Sequence, residues 1–361
     1  MTALGPIRLR RQYLWNACER GFFPADSALG IAGFLSLQAT RLLALAGLEE
    51  SFAKAQRLVR EMCGWKVDEE VIRQTTHAQC RRAQAERSRL VDVEAFAAAP
   101  GSIEVAIDAG KVNTLSGWRD VKIAVFQRRL AGSAVSVAAS VAASVADMAD
   151  WRRRVLPAPG ACVVVAAIEE AERFGQRLGD EANRLQATGA DDVTVLGDGA
   201  EWIWNIAAER LPQAAEVLDV FHALEHVADA AKSAWGEGTP AARKQQESAS
   251  QALIAHGKAG LERWLSEAFA QAPQPLNETA AEALRNTAAY FAKHPTRLNY
   301  AERLEQGRSI GSGAVEGMIK QQINLRMKRT GARWRAENVG PFVQLRHLSQ
   351  TAAWNLLWTT A

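Results

Sequence analysis

The sequence predicts an α/β protein: a mixed β-sheet covered by helices on both faces, an all-α N-terminal region before it, and a helical insertion within it. Three observations carry that prediction. Three β-rich apolar runs follow one another between residues 103 and 167, and strand and helix then alternate from 169 to 220. Residues 1 to about 97 instead show apolar stripes at helical spacing. From His222 to about Tyr300 the composition is again helical and alanine-rich.

The totals bound the class. At 361 residues the chain has room for two or three domains, or one domain with a large insertion, and 48% hydrophobic residues support a sizeable core. The net charge of +3 is only mildly basic, so a nucleic-acid surface must come from local clustering. No run is apolar for long enough to span a bilayer and no signal-peptide pattern opens the chain, which reads as cytoplasmic with no membrane partner. Cys18, Cys63, Cys80 and Cys162 form no C-x-x-C pair, which argues against a disulfide framework and a structural zinc site.

Taken in order, residues 1–97 begin with a basic leader at Arg8, Arg10 and Arg11 and an apolar stripe from Phe34 to Leu45. Ser51 caps a helix running through Met62, Gly64 breaks it, and Asp68 caps a second helix from Glu69. Helix, glycine turn, helix is the outline of a helix-turn-helix DNA reader, whose second helix would carry Arg73 and Arg81; the plainer reading is a helical packing unit. Strands are expected over 103–108, 120–127, 161–167, 193–197 and 215–220, within a core spanning 98–221. Ala131 to Met148 is a nearly low-complexity Ala/Val/Ser tract without a functional account, and Trp151-Arg-Arg-Arg154 after it reads as a solvated turn. Residues 222–308 form the helical insertion, and 309–361 the closing helices.

Three acidic residues stand in marked places. Asp198 follows the run Val193-Thr-Val-Leu-Gly197, where a buried strand hands over to a helix, the position at which open α/β sheets bind ligands. Asp108 closes the run from Ile103 and is followed by Gly110; Glu316 starts a long basic helix. Brought together, they would make an oxygen-only cage suited to Mg²⁺ or Mn²⁺ and phosphoryl transfer. After Glu316 come Lys320, Arg326, Lys328, Arg329, Arg333 and Arg335 with no acidic residue before Glu337, an excess that fits a phosphate backbone or, more plainly, a solvated basic face.

The segments GDGAEWIWN, LDVFHALEH and GSGAVEGMIKQQINLRMKRTGARW, with IDAG and GWRDVKI upstream, resemble the DDE transposases of the Kra-type bacterial insertion sequences, relatives of the Mutator-like group. The resemblance runs from about residue 103 to the end. It implies a ribonuclease-H-like catalytic core with a helical insertion before the catalytic glutamate. It implies Asp108, Asp198 and Glu316 as catalytic, metal-binding residues for two Mg²⁺ (or Mn²⁺) ions, with Asp219 and His222 supporting the site. It further implies transposon-end and target double-stranded DNA as partners, a nucleoid-associated location, and a homo-oligomer that holds two ends together. The chemistry would be metal-dependent hydrolysis at the transposon end followed by transesterification from the freed 3′-OH.

Three rivals stand beside this reading. His222-Ala-Leu-Glu225-His226 spells the H-x-x-E-H zinc signature of inverzincin peptidases, although it follows a strand directly. A catalytically inactive, domesticated DNA-binding descendant would keep the fold without the chemistry. A stand-alone nuclease or resolvase would cut without joining. Trp202 and Trp204 are candidates for stacking a flipped base, and more plainly for the core; Gly311 and Gly313 are candidates for a phosphate nest, and more plainly for a turn.

Overall fold

A hairpin of two long strands forms the middle of the sheet in the computed structural model, which describes residues 1–2, 5–15, 21–29, 31–135, 151–272 and 277–359. Strand β1 (Ser102–Thr114) pairs antiparallel with β2 (Gly117–Arg129), residue for residue from Ser102↔Arg129 to Thr114↔Gly117. Gly117 takes φ 95°, which lets the chain reverse over Leu115 and Ser116. Both strands run beyond the lengths expected from sequence, so Asp108 lies in the middle of β1 and not at its end. Composition hid this, because Gly110, Lys111 and Asn113 are poor strand formers. Tertiary pairing overrides that preference at the hairpin tip, where Leu115 N donates to Trp334 O (2.9 Å) and Trp334 N to Asn113 O (3.0 Å).

Three more strands complete a five-stranded mixed sheet in the order β3-β2-β1-β4-β5. Edge strand β3 (Ala161–Ala167) is antiparallel to β2, while β4 (Val193–Gly197) is parallel to β1 and β5 (Ala215–Leu218) is parallel to β4. Every residue of β4 is buried, as expected of a parallel strand covered on both sides. The fifth strand stops at Leu218, short of the expected Val220, because the side chain of Asp219 caps the next helix.

In the N-terminal region, α1 (Leu37–Glu49) carries the apolar stripe, and α2 (Phe52–Cys63) and α3 (Glu69–Ala85) start at the expected residues. Ser51 Oγ accepts from Lys54 N at 3.4 Å and Gly64 ends α2 at φ 67°, whereas Asp68 stands at the N-cap of α3 without a side-chain bond. After β3 come α4 (Ala171–Arg184) and α5 (Glu201–Arg210). The insertion comprises α6 (Val220–Trp235), α7 (Pro240–Gln271), broken at Gly257 (φ 54°, ψ −131°), and α8 (Glu278–Ala292). The chain closes with α9 (Gly313–Met318), continued as a π-helical turn over Ile319–Asn324, and with α10 (Ala336–Leu348). No helix among the described residues is long and apolar enough to cross a membrane.

Glycines fix how helices dock on the sheet. A Cβ at Gly197 would stand 2.8 Å from Ile203 of α5, and one at Gly110 would stand 3.0 Å from Ile319 and 3.1 Å from Ile323. Gly197 is level with Ile107, so the two glycines mark opposite faces of the sheet and helices cover both. Residues 151–153 are helical, and Trp151 is buried against Phe221 (6.0 Å), which replaces the solvated turn expected there. Of the Ala/Val/Ser tract, residues 136–148 lie outside the described residues, as does Cys18. Val135 N, just before it, donates to Leu304 O at 2.9 Å.

Candidate active site

Strand register brings the first two acidic residues together. Ile107 pairs with Gly197 across the parallel strands β1 and β4, so the next residue on each chain is an aspartate, Asp108 and Asp198. Asp108 and Gly110 share a face, being two apart on one strand. The close approach allowed by Gly110 seats Ile319 and Ile323 on that face, and Glu316, three residues before Ile319, lies one helical turn nearer the aspartates. The π-helical turn directly after Glu316 widens the helix where it crosses the strand, a feature that recurs beside functional sites.

A buried carboxylate holds this arrangement. Asp219 is fully buried and accepts from Phe221 N (2.7 Å) and His222 N (3.0 Å), capping α6, and from the backbone N and Oγ of Ser312, the latter at 2.6 Å. Ser312 Oγ lies 3.3 Å from Glu316 Oε1, so one side chain ties the end of β5 to the start of α9 and to the glutamate itself. Gly311, whose Cβ would lie 3.4 Å from Asp219 Oδ2, forms the turn that makes this possible. Asp198 is fixed at both ends. Its Oδ1 accepts from Ala200 N (3.0 Å), and its carbonyl accepts from the Tyr290 hydroxyl of α8 (3.0 Å).

Loss of water dominates the electrostatics, with like charges adding to it. Burial and the nearby Asp198 and Glu316 carboxylates push Asp108 up to about 6, against the hydrogen bond that its Oδ1 accepts from Ala109 N. Loss of water, then the Asp219 charge, also raises Glu316. His222 is the nearest compensating group: its Nε2 lies 3.8 Å from Asp198 Oδ2 and its Nδ1 3.0 Å from Glu225 Oε2. Burial lowers its basicity, but the bond to Glu225 and the charges of Asp198 and Asp219 outweigh that and raise its pKa.

The donor chemistry fits a hard divalent cation, since Asp108, Asp198 and Glu316 offer only oxygen and a cation would offset the burial, and the lesser repulsion, that raise Asp108. Among the described residues no group of three or more His, Cys, Asp and Glu side chains already stands at ligand spacing. His222 and His226 do not act as a pair: His226 stacks on Tyr290 at 3.7 Å while His222 faces Asp198. Tyr290 was invisible in the sequence, because nothing local links residue 290 to residue 198.

The basic residues divide. Arg326 is buried; its guanidinium donates to Gly47 O (2.8 Å) and lies about 5 Å from the ring centres of Phe52, Trp334 and Phe342. It therefore lies inside the molecule and not on a DNA-facing surface. Arg329 reaches Glu50 (2.5 Å), and Arg73 is held by both oxygens of Glu70. Lys320, Lys328, Arg333, Arg335 and Arg81 are exposed. Trp204 is buried in the core beneath Arg297, and Trp202, partly buried, packs on that core against Phe174.

Fold and site together define an α/β protein with a cluster of carboxylates beside the parallel strand ends. No family model matches the chain, and no curated protein matches it significantly.

Proposed function

We propose that this chain is a DDE-type insertion-sequence transposase, cutting transposon ends and joining the freed 3′-OH to target DNA. The observation that carries the reading is the adjacent register of Asp108 and Asp198, with Glu316 delivered to the same face at Gly110. The strand order, with three antiparallel strands leading into two parallel ones, supports a ribonuclease-H-like core. The motif resemblance adds the order of the three acids and the helical insertion between the second and third.

Asp108, Asp198 and Glu316 would hold Mg²⁺ or Mn²⁺. A cation held by these three carboxylates would supply Lewis acidity to the attacking water and the leaving oxygen. Asp219 and Ser312 fix the glutamate's helix, and the His222 ring stands beside Asp198, Nε2 to Oδ2 3.8 Å. Lys320, Lys328, Arg333 and Arg335 supply exposed cations for the phosphate backbone of transposon-end and target DNA. Holding two ends requires at least two copies of the chain, and nucleoid DNA in the cytoplasm is the corresponding location.

The test is a Mg²⁺-dependent strand-transfer assay on DNA bearing the element's own ends, comparing wild type with Asp198→Asn. Joined products from wild type alone support the reading. Binding without cleavage by either protein contradicts it and leaves an inactive DNA-holding relative.

A further inference from the structure

Both histidines of the H-x-x-E-H sequence, and one tyrosine of the helical insertion, converge on Asp198. This aspartate is half-buried, and its three oxygens meet groups from α6, α8 and the start of α5. Oδ1 accepts from Ala200 N, Oδ2 lies 3.8 Å from His222 Nε2, and the carbonyl accepts from the Tyr290 hydroxyl at 3.0 Å. That carbonyl belongs to the peptide joining Asp198 to Gly199. Gly199 takes φ 95°, and a Cβ there would stand 2.4 Å from the Tyr290 hydroxyl, so the turn after β4 has the shape and the room that the hydroxyl needs. The Tyr290 ring is itself held. His226 lies on its face at 3.7 Å and 26°, and Phe291 and His294 meet it edge-on at 5.2 and 5.1 Å. His226 follows His222 by one turn of α6, so the two share a side of that helix. His222 meets the carboxylate of Asp198, and His226 reaches its carbonyl through Tyr290.

We infer that Tyr290 is a positioning residue for the proposed metal ligand Asp198: its hydroxyl fixes the 198–199 peptide, and the His226 ring fixes the hydroxyl. The inference rests on the proposed function. A carboxylate swings with its own backbone, and Asp198 has a glycine on either side, the least constrained neighbours a chain can offer. Gly197 O is held by Asp219 N at 2.7 Å, which leaves the 198–199 peptide as the joint that Tyr290 closes. Packing alone does not require this bond. Phenylalanine would fill the same space as the Tyr290 ring, and a half-buried hydroxyl is readily satisfied by water. The hydroxyl instead crosses from α8 to the turn that carries the carboxylate. The helical insertion is therefore part of the site, because Asp198 is aimed only while α6 and α8 are docked. The three fixed residues of H-x-x-E-H are accounted for in the same way. The first histidine stands at the carboxylate, Glu225 accepts from or donates to its Nδ1 at 3.0 Å, and the second histidine sets Tyr290.

The test reads the Mn²⁺ affinity of the full chain from the electron paramagnetic resonance signal of the free ion, beside the melting temperature of each variant. Tyr290→Phe keeps the ring and removes the hydroxyl. It should weaken Mn²⁺ binding about tenfold, the low end of the range usual for groups that orient metal ligands, while melting stays close to that of wild type. Leu284→Val, buried on the same helix but bonded to no part of Asp198, should do the opposite, lowering the melting temperature and leaving Mn²⁺ affinity unchanged. His226 is exposed, so its replacement spares the core. His226→Ala should weaken Mn²⁺ binding, and His226→Phe should restore it by restoring the stack. His226→Ala added to Tyr290→Phe should weaken it no further, because His226 acts through the hydroxyl. Wild-type Mn²⁺ affinity in Tyr290→Phe overturns the inference and leaves the proposed function standing. So does a loss of affinity that tracks melting across all variants, Leu284→Val included, which would make Tyr290 a packing residue. Wild type that takes up no Mn²⁺ removes the proposed function, and the inference with it.

Discussion

Asp219 and Arg326 are both charged and both buried, but they serve different parts of the molecule. Asp219 lies beneath the candidate active site and accepts four donors from two elements, whereas the side chains of Asp108, Asp198 and Glu316 each carry a single local hydrogen bond. Arg326 lies in the seam between the N-terminal helices and the closing segment, where three aromatic rings and Gly47 O take up the whole guanidinium. Around the carboxylates the structural work falls on a residue next to the functional ones. In the seam it falls on residues that sequence alone would assign to DNA. A charge remains available for function only where another group already satisfies the frame.

The largest expected effect separates Asp219 from its neighbour. Asp219→Ala leaves two backbone N–H groups of α6, and the N–H and hydroxyl of Ser312, without their buried acceptor, and should cost about 3 kcal/mol or more in urea denaturation. Asp198→Asn, on the half-exposed side, should leave the transition nearly where it was. Equal destabilisation by both would erase the distinction between frame and site. In the seam, Arg326→Ala should lower stability by about 2 kcal/mol, through the unmet Gly47 carbonyl and the lost ring contacts. Exposed Lys328→Ala should leave melting unchanged and act on DNA alone, reducing the slope of log affinity against log salt by about 0.9. A melting shift for Lys328→Ala, or a salt-slope change for Arg326→Ala without destabilisation, would reverse the two roles.

The contrast also explains what was legible in the sequence. Asp198 was readable because a β-branched, mostly apolar strand ends in Gly197, and the N-terminal helix boundaries were readable because Ser51 and Gly64 act locally. The convergence of the acids was readable only as a condition, since register and the close approach at Gly110 come from the fold. The extended hairpin was missed because its tip is stabilised by Trp334, more than two hundred residues away, and not by its own composition. The interior role of Arg326 was hidden for the same reason, because two of its four partners, Gly47 and Phe52, lie far from it in the chain.

The proposed function requires Asp108, Asp198 and Glu316 to act as one oxygen site for a divalent cation. Calorimetric titration of Mn²⁺ into wild type, Asp108→Asn and Glu316→Gln tests it most directly, with circular dichroism confirming that each variant is folded. Wild type should bind saturably and each folded variant at least about tenfold more weakly, since each substitution removes a charged oxygen ligand. Unchanged Mn²⁺ affinity in both variants would contradict it.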